Sequence, residues 1–325
     1  MCAPFVRAAF ATALAWAALT TPTRAQEQPR FTDIRPLTNR ETVLTLATTN
    51  GLNYRLDAST NLPAWSGFLT ITGIAPSLSV TDAAAPWLPR RFYRAQPLTN
   101  AGVLTGDHFP TTNGEVVIHP VVHASFLMSW QGKIIYNDPT NAAAFYAGFP
   151  KADLILVSHS HADHFKVTTL DAVRNTNAII IAPQAVYDAL SATLKPLTFV
   201  LTYGAATNLL GLRVEAVPAT NSNHAPGFGN GYILTVGGAR LYISGDTGDI
   251  PPMRGLTNID VAFVCMNTPF TMHYTNAASA VREFRPRIVY PYHYRNQDGT
   301  FADLNDFKRR VGQDLGIEVR LRKWY

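Results

Sequence analysis

Histidines are concentrated in one part of this chain, since all nine lie beyond residue 107. Three stand in the heptapeptide SHSHADH, as His159, His161 and His164, with Asp163 before the last of them. The apolar run from Leu154 to Val157 predicts a strand that ends just before this motif. On such a loop the first two histidines can face one centre while the aspartate and the last histidine face another. Imidazole and carboxylate groups bind divalent transition metals, so this clustering favours a metal site over a solvated polar loop.

Three further potential ligands, each in the loop after an apolar strand-like run, are His224, Asp246 and His293. Taken singly, each residue could equally serve packing or a hydrogen bond to the backbone. Together with the heptapeptide they predict four loops that converge at one edge of a sheet, as a metal site built on strand ends requires.

The order of these residues resembles the signature of the metallo-β-lactamase superfamily, over a region from His123 to His293. The resemblance implies an αββα sandwich with a dinuclear metal site at one edge. A closer likeness is to the branch that includes L-ascorbate-6-phosphate lactonase and other metal-dependent hydrolases. That likeness is carried by HASFL at 123–127, DP at 138–139, FTM at 270–272 and PYHY at 291–294.

The resemblance also implies which side chains bind two divalent ions, zinc in the first place and manganese or iron as alternatives. The implied ligands are His159, His161 and His224 for the first ion, and Asp163, His164 and His293 for the second. Asp246 would bridge the two. Loop lengths vary at the position of His224, so Asn221 or Asn223 could be the equivalent residue.

A pair of such ions implies a bridging hydroxide that attacks a carbonyl or phosphoryl centre. Asp163 would also orient this nucleophile, and His123 would lie beside it in the pocket. Tyr294 is the candidate proton donor, with Tyr274 and His273 as alternatives, although all three could simply pack at the rim. The expected activity is hydrolysis of a small-molecule ester, lactone or phosphodiester. The alternatives are a β-lactamase, a mononuclear iron redox enzyme, or a surface-binding protein with an idle site.

Residues 26–98 follow a different pattern, with short strand-like runs separated by turn residues and no amphipathic helix. Asn50-Gly51 is typical of a hairpin turn. The segment at 54–62, together with Trp65 and the RFYR motif at 91–94, resembles an immunoglobulin- or fibronectin-like accessory module. We therefore predict a small all-β sandwich at 26–98 before an α/β hydrolase domain at 99–325. Its helices are predicted at 168–174, 184–193, 276–285 and 301–315.

Residues 1–25 have the composition of an export signal. Arg7 precedes an apolar run at 8–19, which is too short to span a membrane, and a cleavage site follows at Ala25. The prediction is therefore a periplasmic or extracellular protein without stable membrane insertion after cleavage. Its remaining cysteine, Cys265, is predicted to be a small buried apolar side chain.

The composition narrows the function further. Of 325 residues, 47% are hydrophobic and 15% charged, which excludes a disordered chain. The formal net charge is +5, but Lys and Arg side chains do not cluster until the last residues of the chain. Nucleic-acid binding is therefore not expected. The oligomeric state is left open.

Overall fold

The computed structural model describes residues 29–74, 76–99 and 103–325. The predicted export signal at residues 1–25 lies outside the described residues. The N-terminal part is built of short strands, as its turn-rich sequence predicts. These strands are β1 (Phe31–Pro36), β2 (Thr42–Ala47), β3 (Asn53–Ser59), β4 (Ser66–Thr72), β5 (Ser77–Asp82) and β6 (Phe92–Leu98).

The N-terminal strands divide between two sheets. One is antiparallel, in the order β1-β2-β5, whereas β3 pairs with β4 and β6. Gly51 has a positive φ of 78°, but the Asn50-Gly51 turn joins β2 to β3, which lie in different sheets. The predicted hairpin is therefore wrong. The two strands instead bury their apolar faces together, with Leu46 of β2 and Leu56 of β3 in one core cluster.

The sheet that contains β3, β4 and β6 has ten strands and continues into the C-terminal part. Its order is β13-β12-β11-β10-β9-β8-β7-β4-β3-β6. The added strands are β7 (Gly106–Pro110), β8 (Glu115–Val122), β9 (Ser125–Trp130), β10 (Lys133–Asn137), β11 (Ala152–Leu156), β12 (Arg174–Ala182) and β13 (Thr198–Val200). Leu69 and Thr70 of β4 pair with Asp107 and Gly106 of β7, so one sheet runs across the predicted boundary at residue 98.

A second large sheet has seven strands in sequential order. They are β14 (Ala206–Leu209), β15 (Leu212–Pro218), β16 (Asn230–Val236), β17 (Ala239–Ile243), β18 (Val261–Cys265), β19 (Ile288–Tyr292) and β20 (Glu318–Val319). Pairing is antiparallel from β14 to β17 and parallel from β17 to β20. The carboxyl ends of β17, β18 and β19 therefore meet at one edge.

Five α-helices accompany the sheets in the described residues: α1 (Val167–Val173), α2 (Gln184–Ala189), α3 (Pro251–Arg254), α4 (Tyr274–Phe284) and α5 (Leu304–Val311). The four predicted helices are present, with shifted ends. The last one begins later than predicted because Asp303 is its N-cap and accepts a 2.8 Å hydrogen bond from the Asp306 N–H. It ends before Gly312, whose φ is 71°.

Side chains alternate between the two faces of each strand, and this alternation defines the layers of the sandwich. On β9, Phe126 and Met128 face the core between the two large sheets, while Leu127 faces the opposite cluster with Leu170 of α1. The ring of Phe126 stacks on Phe263 of β18 at 4.2 Å between centroids. Helices α4 and α5 cover the outer face of the seven-stranded sheet. The predicted αββα sandwich is confirmed.

No helix within 29–74, 76–99 and 103–325 is long and apolar enough to cross a bilayer. Cys265 is fully buried, and its thiol donates to the Thr247 carbonyl at 3.4 Å. Burial raises the pKa of this thiol to about 12. It is the inert, buried residue that the sequence predicts.

Candidate metal centre

The predicted ligands come together at one edge of the αββα sandwich. The structure brings nitrogen and carboxylate atoms within 4.8 Å of one another in three overlapping groups. These are His159, His161 and His224; then His159, His164 and Asp246; and finally His123, Asp163, His164 and His293. All seven predicted metal ligands belong to at least one group. We call His159, His161 and His224 the first cluster, and Asp163, His164 and His293 the second cluster.

Close backbone packing shapes the heptapeptide loop. The Asn230 N–H donates to the Ser158 carbonyl at 2.8 Å, which ties the start of the loop to β16. A Cβ at Gly229 would lie 2.9 Å from the Cβ of His159, so only glycine fits there. The His164 N–H donates to the His161 carbonyl, and this turn leaves the His164 ring beside the first cluster, 4.1 Å from the His159 ring between centroids.

In the first cluster, His224 Nε2 lies 3.2 Å from His161 Nδ1. The Asn221 side chain supports this arrangement, since its Oδ1 accepts from the His224 N–H at 3.0 Å and its Nδ2 donates to the Asp246 carbonyl at 2.9 Å. Asn223 is exposed. Of the three residues that the sequence left open, His224 is therefore the one whose donor atom faces the other histidines.

In the second cluster, His164 Nε2 and His293 Nε2 approach to 2.9 Å. Asp163 Oδ2 lies 3.9 Å from His164 Nε2 and 3.7 Å from His293 Nε2. Two nitrogens converging beside a carboxylate oxygen form a donor set suited to a cation.

Asp246 lies between the two clusters. Its Oδ1 is 3.3 Å from His164 Nε2 and 3.4 Å from His293 Nε2, and its Oδ2 is 4.0 Å from His159 Nε2. The preceding Gly245 has a φ of 58°, and a Cβ there would lie 2.6 Å from the Asn230 carbonyl oxygen. This tight turn directs one carboxylate oxygen toward each cluster, as a bridging ligand requires.

The donor atoms fit divalent ions. His159 Nε2 and Asp246 Oδ1 are buried and have no hydrogen bond of good geometry to any residue that the structure describes. Unpaired buried polar atoms are costly, and binding to a cation removes that cost. Burial lowers the pKa of His159 well below its ordinary value and that of His293 to about 3. Burial alone would raise the pKa of Asp246, but His293 and His164 hold it well below its usual range. The two histidines thus offer lone pairs and the carboxylate stays ionised.

Asp138 supports the second cluster. The sequence marked it only as part of the DP at 138–139, which carries the family resemblance. Its Oδ2 accepts from His164 Nδ1 at 2.9 Å and from the Ser158 hydroxyl at 2.7 Å, while Oδ1 accepts from the Ser158 N–H at 2.6 Å. The carboxylate is fully buried. It therefore fixes the His164 ring with Nε2 directed toward the second cluster.

We predict that Asp138→Asn weakens binding of the more loosely held metal equivalent about 10- to 100-fold, because the amide no longer accepts two charge-assisted hydrogen bonds. Chelator competition measures this change. Asp153→Asn is the control, since that carboxylate accepts from the Ile134 N–H and from Asn175 Nδ2 at a strand junction outside both clusters. Equal metal affinity in Asp138→Asn and the wild type would contradict the role of Asp138.

The predicted catalytic residues lie in different places. His123 lies at the second cluster, with Nε2 2.9 Å from Asp163 Oδ2. The Tyr294 hydroxyl instead contacts the Arg322 carbonyl at 3.4 Å and the Trp324 N–H at 3.3 Å, both in the last segment of the chain. His273 is the N-cap of α4, and Tyr274 is its first residue.

Tyr325 was missed by the sequence analysis. Its hydroxyl lies 2.8 Å from His123 Nδ1, although 202 positions separate the two residues. No motif marks a terminal tyrosine, and only the path of the last segment places it here.

Comparison with known proteins agrees with this geometry. The family model described as a beta-lactamase superfamily domain matches residues 118–293, which is more than half of the chain. The chain therefore belongs to the metallo-β-lactamase superfamily. Within that class it is a metal-dependent hydrolase, as are relatives named for the UPF0173 family. The one from Thermococcus kodakarensis is 35% identical over 215 residues, covering 61% of this chain and 92% of the relative.

Two solved structures share the fold. A structure assigned to the metal-dependent hydrolases, from Parabacteroides distasonis, is 36% identical with a TM-score of 0.61, and the match covers 69% of this chain and all of that one. Igni18, a metallo hydrolase from Ignicoccus hospitalis, is 26% identical with a TM-score of 0.55, covering 63% and 94% respectively. The predicted hydrolase class is confirmed.

Proposed function

We propose that this protein is an exported dinuclear hydrolase that cleaves a small ester, lactone or phosphodiester. The observation that carries the dinuclear part is the position of Asp246. Its two carboxylate oxygens face different histidine clusters, at 3.3 and 3.4 Å from two nitrogens of the second and 4.0 Å from His159 of the first. Two ions held about 3.5–4 Å apart are the usual arrangement for hydrolysis assisted by paired metals.

In this proposal each cluster would hold one ion, and Asp246 would contribute a carboxylate oxygen to each. Zinc is the first choice because imidazole nitrogens dominate, and manganese or iron are the alternatives. The ions supply Lewis acidity and a hydroxide nucleophile at neutral pH. With that chemistry provided by metal, the chain needs no serine or cysteine nucleophile, consistent with the inert Cys265.

The surrounding residues orient and enclose the reacting groups. Burial alone would raise the pKa of Asp163, but the His123 hydrogen bond and nearby His164 hold it well below its ordinary range. Asp163 is thus an ionised acceptor at the open side of the second cluster, suited to orient a nucleophile. The Phe228 ring lies 5.0 Å from His224 and 5.1 Å from His161, and so forms an apolar wall over the first cluster.

Metal analysis of the chain from Gln26 tests the dinuclear site, and a panel of lactones, carboxylate esters and phosphodiesters tests the substrate class. We expect two equivalents of zinc or manganese, falling to one or fewer in His161→Ala, with hydrolysis lost. His119→Ala is the control, because that histidine packs on Phe149 outside the clusters. One equivalent of iron without hydrolysis would overturn the proposal in favour of redox chemistry. Turnover of nitrocefin alone would replace it with a β-lactamase.

Export and the accessory module are separate parts of the proposal. Both are supported by the sequence, the first by residues 1–25 and the second by the β-rich region at 26–98. The substrate is a small molecule, and neither nucleic acid nor a bilayer is a proposed partner. Cell fractionation of the full chain and of a chain without residues 1–25 tests export, and equal retention of both inside the cell would overturn it.

A further inference from the structure

Tyr325 connects the last segment of the chain to the open side of the metal centre. Its hydroxyl lies 2.8 Å from Nδ1 of His123, and Nε2 of the same ring lies 2.9 Å from Asp163 Oδ2. Three groups are therefore joined in a line that ends at a residue of the second cluster. None of the sequence motifs described above includes Tyr325.

The backbone holds this line in place. The His123 N–H donates to the Trp324 carbonyl at 3.0 Å, and the His293 N–H donates to the His123 carbonyl at 3.3 Å. Trp324 is fully buried and packs on Phe126 and Tyr292 in the central core. The position of Tyr325 is thus fixed by its buried neighbour.

The hydrogen-bond chemistry determines the direction of the line. His123 Nε2 faces an ionised carboxylate, which can only accept, so this nitrogen carries the proton and donates. In the neutral ring, Nδ1 then has a lone pair and must accept. The phenol of Tyr325 is a proton donor at neutral pH, because burial raises its pKa above the ordinary value of about 10. The contacts are therefore satisfied when the tyrosine donates to the histidine and the histidine donates to Asp163.

We propose that Tyr325 is a positioning residue: the half-exposed Asp163 favours the Nε2–H tautomer of His123 only in part, the Tyr325 hydroxyl completes it, and His123 in turn holds Asp163 against the second cluster. This inference rests on the proposed function, because Asp163 is there a ligand of the second ion. Partners that orient a metal ligand in this way usually contribute 10- to 100-fold to metal affinity or activity, by order of magnitude.

Packing is the competing role for Tyr325. Its ring lies 5.1 Å from Tyr294 and 5.2 Å from Phe301, which together form an aromatic group at the rim. A phenylalanine would keep these ring contacts and lose only the hydroxyl. Tyr325→Phe therefore separates the two roles, whereas Tyr325→Ala would confuse them.

The test compares Tyr325→Phe with His123→Asn and with the double variant. Asparagine is chosen because His123 has a φ of 59°, a conformation that asparagine tolerates better than most residues. We expect Tyr325→Phe to weaken the second metal equivalent about 10-fold and to lower kcat with little change in KM. The double variant should be no worse than His123→Asn alone, because the tyrosine acts through that ring.

A spectroscopic measurement gives a readout that needs neither metal nor substrate. In ¹⁵N-histidine-labelled, metal-free protein, the signals absent from His123→Asn belong to this ring. They should show a protonated Nε2 in the wild type and a mixture of tautomers in Tyr325→Phe. Tyr187→Phe is the matched control, since that tyrosine lies on α2 and packs against Lys195.

The outcomes are distinguishable from failure of the proposed function. An unchanged tautomer, metal affinity and kcat in Tyr325→Phe would overturn the positioning role, even if the wild type binds two metals and hydrolyses its substrate. Additive losses in the double variant would also overturn it. If Tyr294→Phe rather than Tyr325→Phe shifts the tautomer, the assignment to Tyr325 is wrong. A wild-type protein that binds no metal would contradict the proposed function. The tautomer measurement on His123 would still show whether Tyr325 fixes the ring.

Discussion

Asp246→Asn is expected to abolish hydrolysis and to leave at most one bound metal equivalent. The carboxylate is buried and contacts the nitrogens of His159, His164 and His293, so its charge is shared by both clusters. The amide keeps the shape but loses the charge and one acceptor oxygen. We expect kcat/KM to fall on the order of 1,000-fold or more, which corresponds to about 4 kcal/mol of transition-state stabilisation. Metal analysis and steady-state kinetics measure the two effects.

Asp249→Asn is the matched control for this variant. Asp249 lies three positions later and pairs with Arg254 through both oxygens, at 2.6 and 2.7 Å, instead of facing the clusters. It should retain both metals and near wild-type kinetics. If Asp246→Asn kept two equivalents of metal and full activity, Asp246 could not be the bridging ligand, and the dinuclear assignment would fail with it.

The second large effect is on stability. Asp107 is fully buried on β7, and Arg322 binds it with two hydrogen bonds of 2.8 and 2.6 Å. Arg322→Met removes both hydrogen bonds and leaves Asp107 with Arg320 alone, whose Nη1 is 3.8 Å away, so it should lower the free energy of unfolding by about 3 kcal/mol. Urea denaturation at neutral pH measures the loss. Arg322→Met should also lower hydrolytic activity, because Arg322 belongs to the segment that carries Tyr325.

Two further variants identify the origin of that loss. Replacing both partners, as in Asp107→Leu with Arg322→Met, should cost less than Arg322→Met alone, because no buried charge is left unpaired. Arg282→Met breaks the exposed pair with Asp314 and should have a much smaller effect, because water screens that pair. A loss of that small size in Arg322→Met would contradict the buried-pair account.

The pair also gives a pH dependence. Burial alone would raise the pKa of Asp107, but Arg322 and Arg320 lower it below the ordinary 3.8. A carboxyl group whose pKa is depressed by folding stabilises the protein above its unfolded pKa, and this contribution disappears as the pH falls through the folded pKa. The stability deficit of Arg322→Met should therefore be largest at neutral pH and shrink below about pH 4. A deficit that stays constant in acid would point to lost packing instead of lost charge.

The convergence of the seven candidate ligands was largely predictable from sequence because most of them stand in local motifs. Four of the seven candidates stand within six residues, and His224, Asp246 and His293 each follow an apolar strand. Strand ends in a sandwich meet at one edge, so recognising the strands was enough to bring these residues together.

The supporting residues could not be predicted in the same way. Asp138 reaches His164 across two neighbouring parallel strands, and Tyr325 reaches His123 over 202 positions. Such contacts depend on strand register and on the path of the last segment, which no local pattern records. The Asn50-Gly51 turn shows the same limit. Local propensity predicted the bend, but burial of both strands determined which sheet each one joined.

The ten-stranded sheet determines what a chain without its N-terminal strands would expose. Because β4 pairs with β7, the N-terminal strands occupy an edge that the hydrolase part would otherwise present with unpaired N–H and C=O groups. Such an open edge is a template for pairing with another copy of the chain. The N-terminal strands cover that edge, so we expect a chain that begins at residue 99 to expose it and to self-associate while keeping the seven candidate metal ligands.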